Sequence, residues 1–446
     1  MAVLAWAFAA LLALTEPADF TPGALRPHVI YLMADDLGWA DVGWHGGMLN
    51  TPHLDQLAKR GARLEQFYVQ PLCTPTRAAF LTGRYPMRYG LQVGVIRPRA
   101  AYGLPLNERT LAQALAEAGY QTALCGKWHL GEFDPRYLPV RRGFHHQYGQ
   151  YFGAIDYFTH ERNGILDWHR DDQDLREDGY ATHLLAEEAC RLIRQRDTAK
   201  PLFLFVAFNA VHAPHQAPEQ YKQPFMHLPE PRRTYAAMLA AMDEAIGKIL
   251  LTVDQDGLRE KTLIFFSSDN GGPQPGRVTS NGHLRAGKGT LYEGGVRVPA
   301  LAAWSGKIPA GVVVDEVIHI VDCYATIMEL AGARRDQALP IDGLNVWPTL
   351  ERGLPGPRRE LLLNAAPNSA ALRQGNWKLV VHRAPAAADG QKGRKNAAQA
   401  ELELFDLASD SSERVNLADK HPDQVARLAE RLEAFRAQSA RPRQQE

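Results

Sequence analysis

Four short, nearly unbroken apolar runs limit the fold most: His28 to Met33, Gln121 to Cys125, Pro201 to Phe208 and Thr262 to Ser267. Runs of this kind read as strands buried on both faces. Amphipathic stretches lie between them, at Thr51 to Arg63, Thr110 to Ala118, Ala181 to Arg194 and Arg233 to Asp254. Strands that alternate with helices predict an α/β chain, an α/β/α sandwich around a large, mostly parallel sheet. Parallel strands bring their carboxyl ends to one edge, and that edge is where ligands bind in an open sheet.

Each run leads into residues able to do chemistry. His28–Met33 runs into Asp35 and Asp36, and Gln121–Cys125 into Gly126, Lys127 and His129. Pro201–Phe208 is followed by Asn209 and His212, and Thr262–Ser267 by Asp269 and Asn270. Adjacent carboxylates repel unless something neutralises them. Taken alone, Asp35-Asp36 reads better as a pair of turn or helix-capping acids. With Asp269 and Asn270 it becomes an all-oxygen set, which suits Ca²⁺ or Mg²⁺ better than a soft metal.

Cys73 follows an extended run, Leu64 to Gln70, and precedes a helix expected from about Pro75 to Thr82. A helix N-terminus favours negative charge. Both a buried structural cysteine and a thiolate nucleophile fit that position. Lys127 and His129 share a Gly-flanked loop, Lys288 lies in Gly287-Lys288-Gly289-Thr290, and His212 lies in Val211-His212-Ala213-Pro214. Each is ordinary singly. Together with the oxygen site they describe a pocket for a tetrahedral anion. The overall charge agrees: fifty basic residues balance fifty acidic ones in 446. No general field draws this chain to nucleic acid or to an anionic membrane, so its positive charge must be local.

The two ends of the chain differ from the middle. Met1 to Leu14 is apolar throughout, too short to span a bilayer and suited to a signal-peptide core, although no Lys or Arg precedes Arg26. The expectation is a leader over 1–18, a secreted or periplasmic protein and no stable membrane insertion. A catalytic domain is expected over 26–350, then a linker from Glu351 to Arg359. A small C-terminal α+β subdomain with an antiparallel sheet is expected over 360–440. Its strands are Asn376 to His382 and Glu401 to Leu407, with a flexible loop from Ala384 to Ala400. The closing helix, Asp423 to Gln438, carries Val425, Leu428, Leu432 and Phe435 on one side. Cys125, Cys190 and Cys323 show no CxxC pair and no zinc spacing, and their pairing stays open.

Cys73-Thr74-Pro75-Thr76-Arg77, extended by Ala78 to Arg84, resembles the signature of the type I sulfatases. Gly126 to Gly131 (GKWHLG) resembles the second signature of that family. Asp35-Asp36, Asp269-Asn270-Gly271-Gly272 and Gly287–Gly295 match in the family's order. Trp377-Lys378, Leu404 to Leu407, Glu413 and Asn416-Leu417 resemble its C-terminal part. Within the family the chain looks closest to arylsulfatase B, the N-acetylgalactosamine-4-sulfatase. The grounds are Thr51 to Asp55, Gln70 to Cys73, Leu138-Pro139 with Arg141 to Phe144, and Val211 to Pro214.

The resemblance implies an alkaline-phosphatase-like fold and hydrolysis of sulfate esters, those of a sulfated saccharide or an aryl sulfate. It implies that a formylglycine-generating enzyme, reading Cys-x-Pro-x-Arg, converts Cys73 to Cα-formylglycine. One hydroxyl of the hydrated aldehyde then attacks sulfur, and the other expels sulfate. Asp35, Asp36, Asp269, Asn270 and the oxidised Cys73 are implied to hold Ca²⁺, with Asp269 also taking the attacking proton. Arg77 and Lys127 would hold the formylglycine oxygens, and Lys127 and Lys288 the sulfuryl oxygens. His129 would be the base for the second hydroxyl. His212 would protonate the leaving alcohol, with help from Lys288.

Position 76 is Thr where the family more often has Ser. Tyr151, Phe152, Tyr157 and Trp168 are candidates for stacking on sugar faces, or equally for the core. Two other readings compete: a phosphate or phosphonate monoester hydrolase of the same broad fold, and a catalytically silent carbohydrate-binding protein.

Overall fold

The computed structural model describes residues 25–334, 337–383 and 400–443. The expected leader and nearly all of the expected loop Ala384–Ala400 lie outside the described residues. The central sheet has ten strands. Its middle runs Thr262–Ser268, His28–Ala34, Leu202–Ala207, Gln121–Gly126, all parallel. The register aligns their carboxyl ends: Met33 lies beside Ala207 and Ser267, and Ala207 beside Gly126. Antiparallel pairings enter towards the edges, through Ala300–Ala303 on one side and His169–Arg170 on the other.

Alternation along His28–Ala34 shows why the sheet is covered twice. Val29, Tyr31 and Met33 enter one core, and Ile30, Leu32 and Ala34 enter a second. The helices Cys73–Thr82, Leu111–Glu117 and Ile320–Ala331 cover the first face. Pro52–Arg60, Ala181–Arg194 and Arg232–Gln255 cover the second. The α/β/α sandwich is therefore the observed architecture. Thr110 opens one of these helices with a capping box, exchanging hydrogen bonds with Gln113.

Beyond Leu350 a four-stranded antiparallel sheet follows, in the order Glu360–Ala366, Ser369–Gln374, Trp377–His382, Glu401–Asp406. The last helix, Pro422–Arg436, buries Leu428, Leu432 and Phe435, while Val425 is half-buried. The expected linker is more than a spacer. Arg358 within it is buried and donates from Nε to Asp322 Oδ2 at 2.9 Å, on the helix Ile320–Ala331. No helix among the described residues is long and apolar enough to cross a membrane. All four cysteines are buried free thiols.

Gly126 ends its strand with φ of 117°, and a Cβ there would meet Ala207 O at 1.9 Å. Gly126→Ala is expected to cost about 3 kcal/mol of stability, from strain and overpacking together, read as the urea unfolding midpoint. At the other end of the sheet His28 Nδ1 accepts from Leu202 N at 3.0 Å. Burial, aided by Arg196 and Lys261, lowers its pKa from 6.5 to about 4. The unfolded chain takes up this proton first, so the contribution to stability is full above 6.5 and is lost as pH falls towards 4. His28→Asn should flatten that part of the stability–pH profile, measured by denaturant unfolding at stepped pH.

Candidate active site

The aligned strand ends converge. Asp269 N donates to Ala34 O at 3.0 Å, Asp35 N to Ala210 O at 2.9 Å and Lys127 N to Ala207 O at 2.8 Å. Asp35, Asp36, Asp269, Asn270, Lys127 and Arg77 are all buried at this edge. Arg77 binds one carboxylate oxygen, Asp269 Oδ2, through Nε at 3.2 Å and Nη2 at 2.8 Å. Its Nη1 donates to Lys127 O at 2.8 Å, and its Nη2 is 3.5 Å from Asp35 Oδ2. Lys127 Nζ lies 2.5 Å from Asp35 Oδ2. Lys288 Nζ lies 2.5 Å from Asp36 Oδ1, and His212 Nε2 3.7 Å from Asp36 Oδ2.

Burial opposes charge on Asp35 and Asp36, but their cations outweigh it. Lys127, His212 and Arg77 hold Asp35 below the ordinary carboxylate range, and His212 and Lys288 do the same for Asp36. Conversely, burial opposes charge on Lys288, but Asp36, with Cys73, Asp35 and Asp269, together outweighs it and raises its pKa.

The helix that carries Cys73 starts two residues earlier than expected, with Leu72 as its N-cap. Cys73 and Arg77 are four apart on it and so share a face. Lys127, Lys288, Asp269, Asp35 and Arg77 all act electrostatically on Cys73, which puts it within the cluster. Burial raises the Cys73 pKa and outweighs both lysines. A reactive thiolate is therefore disfavoured here. Thr76 uses its hydroxyl locally, accepting from Gln70 N at 3.0 Å and donating to Gln70 O at 3.1 Å. Its methyl group, like the rest of the residue, is packed in the interior.

His129 has a defined tautomer. Its Nε2 donates to Ile96 O at 3.0 Å, so Nδ1 is the bare nitrogen, and that atom is buried without a partner. Burial first, then Lys127 and Arg77, lowers its pKa well below 6.5 and keeps the ring neutral. Asp36 and His129 both hold positive φ, 66° and 59°. Such strain costs about 1–3 kcal/mol per residue and persists only where the surroundings impose it.

Carbonyls and hydroxyls that carry no sequence signal do much of the positioning. Ile96 O fixes His129. Thr74 Oγ1 donates to His129 O at 3.1 Å. The Tyr157 hydroxyl sits 2.5 Å from Asn209 O and 2.8 Å from His212 O. Tyr157 is thus a buried brace for the His212 turn and not a sugar platform. Trp168, Tyr151 and Phe152 are buried too, Tyr151 stacked on His169 at 4.0 Å.

The residues fit a hard cation. Asp35 Oδ1 and Asn270 Oδ1 are buried without any hydrogen-bond partner. Asn270 gives its Nδ2 to Asp36 Oδ1 at 2.7 Å, so its carbonyl oxygen is the spare group. Asp35, Asp36 and His212 each bring one ligand atom within 4.8 Å of the others. Oxygen donors dominate the set, as calcium or magnesium requires.

The sulfatase family profile matches residues 27–333. The chain belongs to the sulfatase family. Arylsulfatase J of Mus musculus is 37% identical over 94% of this chain and 77% of its own length. Arylsulfatase A of Bos taurus is 35% identical, covering 93% of this chain and 88% of its own. The crystal structure of Ps i-CgsB in complex with k-i-k-neocarrahexaose superposes with a TM-score of 0.83 at 30% identity, over 94% of both chains. This sulfatase is a sulfuric ester hydrolase with the alkaline-phosphatase-like architecture of its structural neighbours.

Millimolar calcium should raise the thermal unfolding midpoint of the sulfatase, since a ligand that binds only the folded state stabilises it. Asp36→Asn should abolish that rise, as read by differential scanning fluorimetry with and without chelator.

Proposed function

We propose that this sulfatase hydrolyses sulfate esters of a saccharide, with Cys73 oxidised to Cα-formylglycine as nucleophile beside a calcium ion. One observation carries the reading: two bare buried oxygens, Asp35 Oδ1 and Asn270 Oδ1, in the cluster whose charges act on a Cys73 that burial keeps protonated. An unmodified thiol suits neither the metal nor the attack. An oxidised side chain bearing hydroxyls suits both.

Asp35, Asp36, Asp269, Asn270 and the oxidised Cys73 would hold the ion. Calcium, when bound, lowers the pKa of the attacking hydroxyl and polarises a sulfate oxygen. Asp269 is read as acceptor of the attacking proton. Arg77 orients Asp269 and faces the oxidised side chain from the same helix. Lys127 and Lys288 stabilise charge on the sulfuryl oxygens. His129 takes a proton from the second hydroxyl on its bare Nδ1, and His212 returns one to the leaving alcohol through Nε2. Without the ion, Asp35, Asp36 and Asp269 balance Arg77, Lys127 and Lys288. A divalent cation makes the site net positive, which suits an anionic ester.

The saccharide rests on likeness to a structure whose own ligand is a neocarrahexaose. Export to a secreted or periplasmic location, and maturation by a formylglycine-generating enzyme, complete the proposal. They rest on the apolar stretch Met1–Leu14 and on Pro75 and Arg77 beside Cys73.

The test is the mass of the tryptic peptide carrying position 73, from protein made with the maturation enzyme. Exchange of H₂S for O at that residue is the expected result. An unmodified, fully active Cys73 would sink the mechanism. Turnover of a panel of sulfated saccharides should exceed that of simple aryl or lipid sulfates. Matched aryl phosphates should be turned over far more slowly, and comparable rates would favour the phosphoester reading.

A further inference from the structure

A second buried charge cluster lies outside the catalytic edge, between the Lys288 loop and the C-terminal sheet. Lys378, on the strand Trp377–His382, sits 2.9 Å from Glu293 Oε1 and 2.8 Å from Glu413 Oε1. All three residues are fully buried. Glu413 Oε2 also accepts from Glu293 N at 2.6 Å, and Tyr68 OH donates to Glu293 Oε2 at 2.7 Å. Burying one ammonium between two carboxylates is costly, and it is offset only when the geometry is well satisfied. Such a cluster is poor evidence of stability and better evidence of a place that must be held.

What it holds is the Lys288 loop. Glu293 opens the short helix Glu293–Val296, and Gly294 N donates to Arg285 O at 2.9 Å. A Cβ on Gly294 would meet Ala286 O at 2.3 Å, and one on Gly295 would meet Thr290 O at 2.2 Å. The loop from Arg285 to Thr290 therefore rests directly on these two glycines. Its other end is gripped by the last strand and the turn after it: Arg285 Nη1 donates to Glu413 O at 2.9 Å, beyond the strand Glu401–Asp406, and lies 3.2 Å from Glu403 Oε1 on that strand. The Arg285 guanidinium also covers the Tyr292 ring at 3.8 Å. Both ends of the Lys288 loop are thus fixed by residues that follow position 377.

We infer that Lys378 and Glu413 are positioning residues for the sulfatase reaction: the C-terminal sheet clamps the loop that aims Lys288 at the substrate anion. The inference rests on the reading of Lys288 as the cation that binds the sulfuryl group. Neither residue touches substrate. Loss of the clamp should loosen anion binding while the fold persists.

The test uses the full chain and two readouts, the Kd for inorganic sulfate by calorimetry and kcat/KM on an aryl sulfate after maturation. Glu413→Gln keeps an acceptor for Glu293 N and leaves the Lys378–Glu293 pair. It should fold, and weaken sulfate binding and kcat/KM about tenfold. Lys378→Met, which strands two buried carboxylates, should do at least as much. If it fails to fold, Glu413→Gln decides alone. Lys288→Ala should weaken sulfate binding, and adding Glu413→Gln to it should cause no further loss, because both act through one group.

A Glu413→Gln chain that loses thermal stability but keeps its sulfate Kd overturns the clamp. So do losses that multiply in the double variant. An unchanged sulfate Kd in Lys288→Ala overturns instead the assignment of Lys288, and the clamp with it.

Discussion

Three carboxylates buried at the ends of two neighbouring strands are the constraint on which this structure turns. Asp35, Asp36 and Asp269 are removed from water, where an ionised carboxylate is costly unless paired. Arg77, Lys127 and Lys288 come from three other segments to pair with them, and each segment has to be held in place. The parallel sheet supplies Lys127, a helix start supplies Arg77 and a glycine-rich loop supplies Lys288. The pairing is incomplete on the oxygen side, at Asp35 Oδ1 and Asn270 Oδ1. An arrangement charge-balanced by cations and still short of partners for oxygen is suited to receive a hard metal ion.

That these polar residues gather at one edge was legible in the sequence, for a physical reason. Strands buried on both faces must be apolar, so the first polar residues after them stand out, and a parallel sheet gathers those residues at one edge. Asp35, Lys127, His212 and Asp269 are visible on that ground alone. Short elements and elements of mixed polarity were not visible. His146–Gly149 is four residues with a polar start, Ala300–Ala303 is short, and Glu360–Ala366 follows a stretch that reads as linker. Arg358 looked like a linker charge because its partner Asp322 is far away in sequence.

Within the site the illegible part is the support. Ile96 selects the tautomer of His129 with a backbone carbonyl, a group every residue has. Tyr157 was visible only as an aromatic, and nothing local distinguishes a brace under a turn from a sugar platform. Lys378 and Glu413 match the family's C-terminal pattern, but nothing in that pattern tells that the fold removes both from solvent and sets them against Glu293. Sequence patterns expose groups that do chemistry because chemistry restricts residue type. Positioning restricts only where an atom lies, and many residue types can meet that demand.

The division between chemistry and substrate choice follows from depth. Arg77, Lys127 and Asp269 form a closed floor, whereas Lys288 and His212 keep 18% and 21% of their side chains exposed. On the proposed function, an ester entering this site puts its anionic end against the floor and its alcohol towards the mouth. The floor is set by the sheet and cannot read the alcohol. On that reading, recognition of the alcohol falls to the loops around Lys288 and His212, and the first of these meets the C-terminal sheet through Arg285 and Glu403. On the inferred clamp, a change in that sheet alters how an ester is held without touching any residue that reacts.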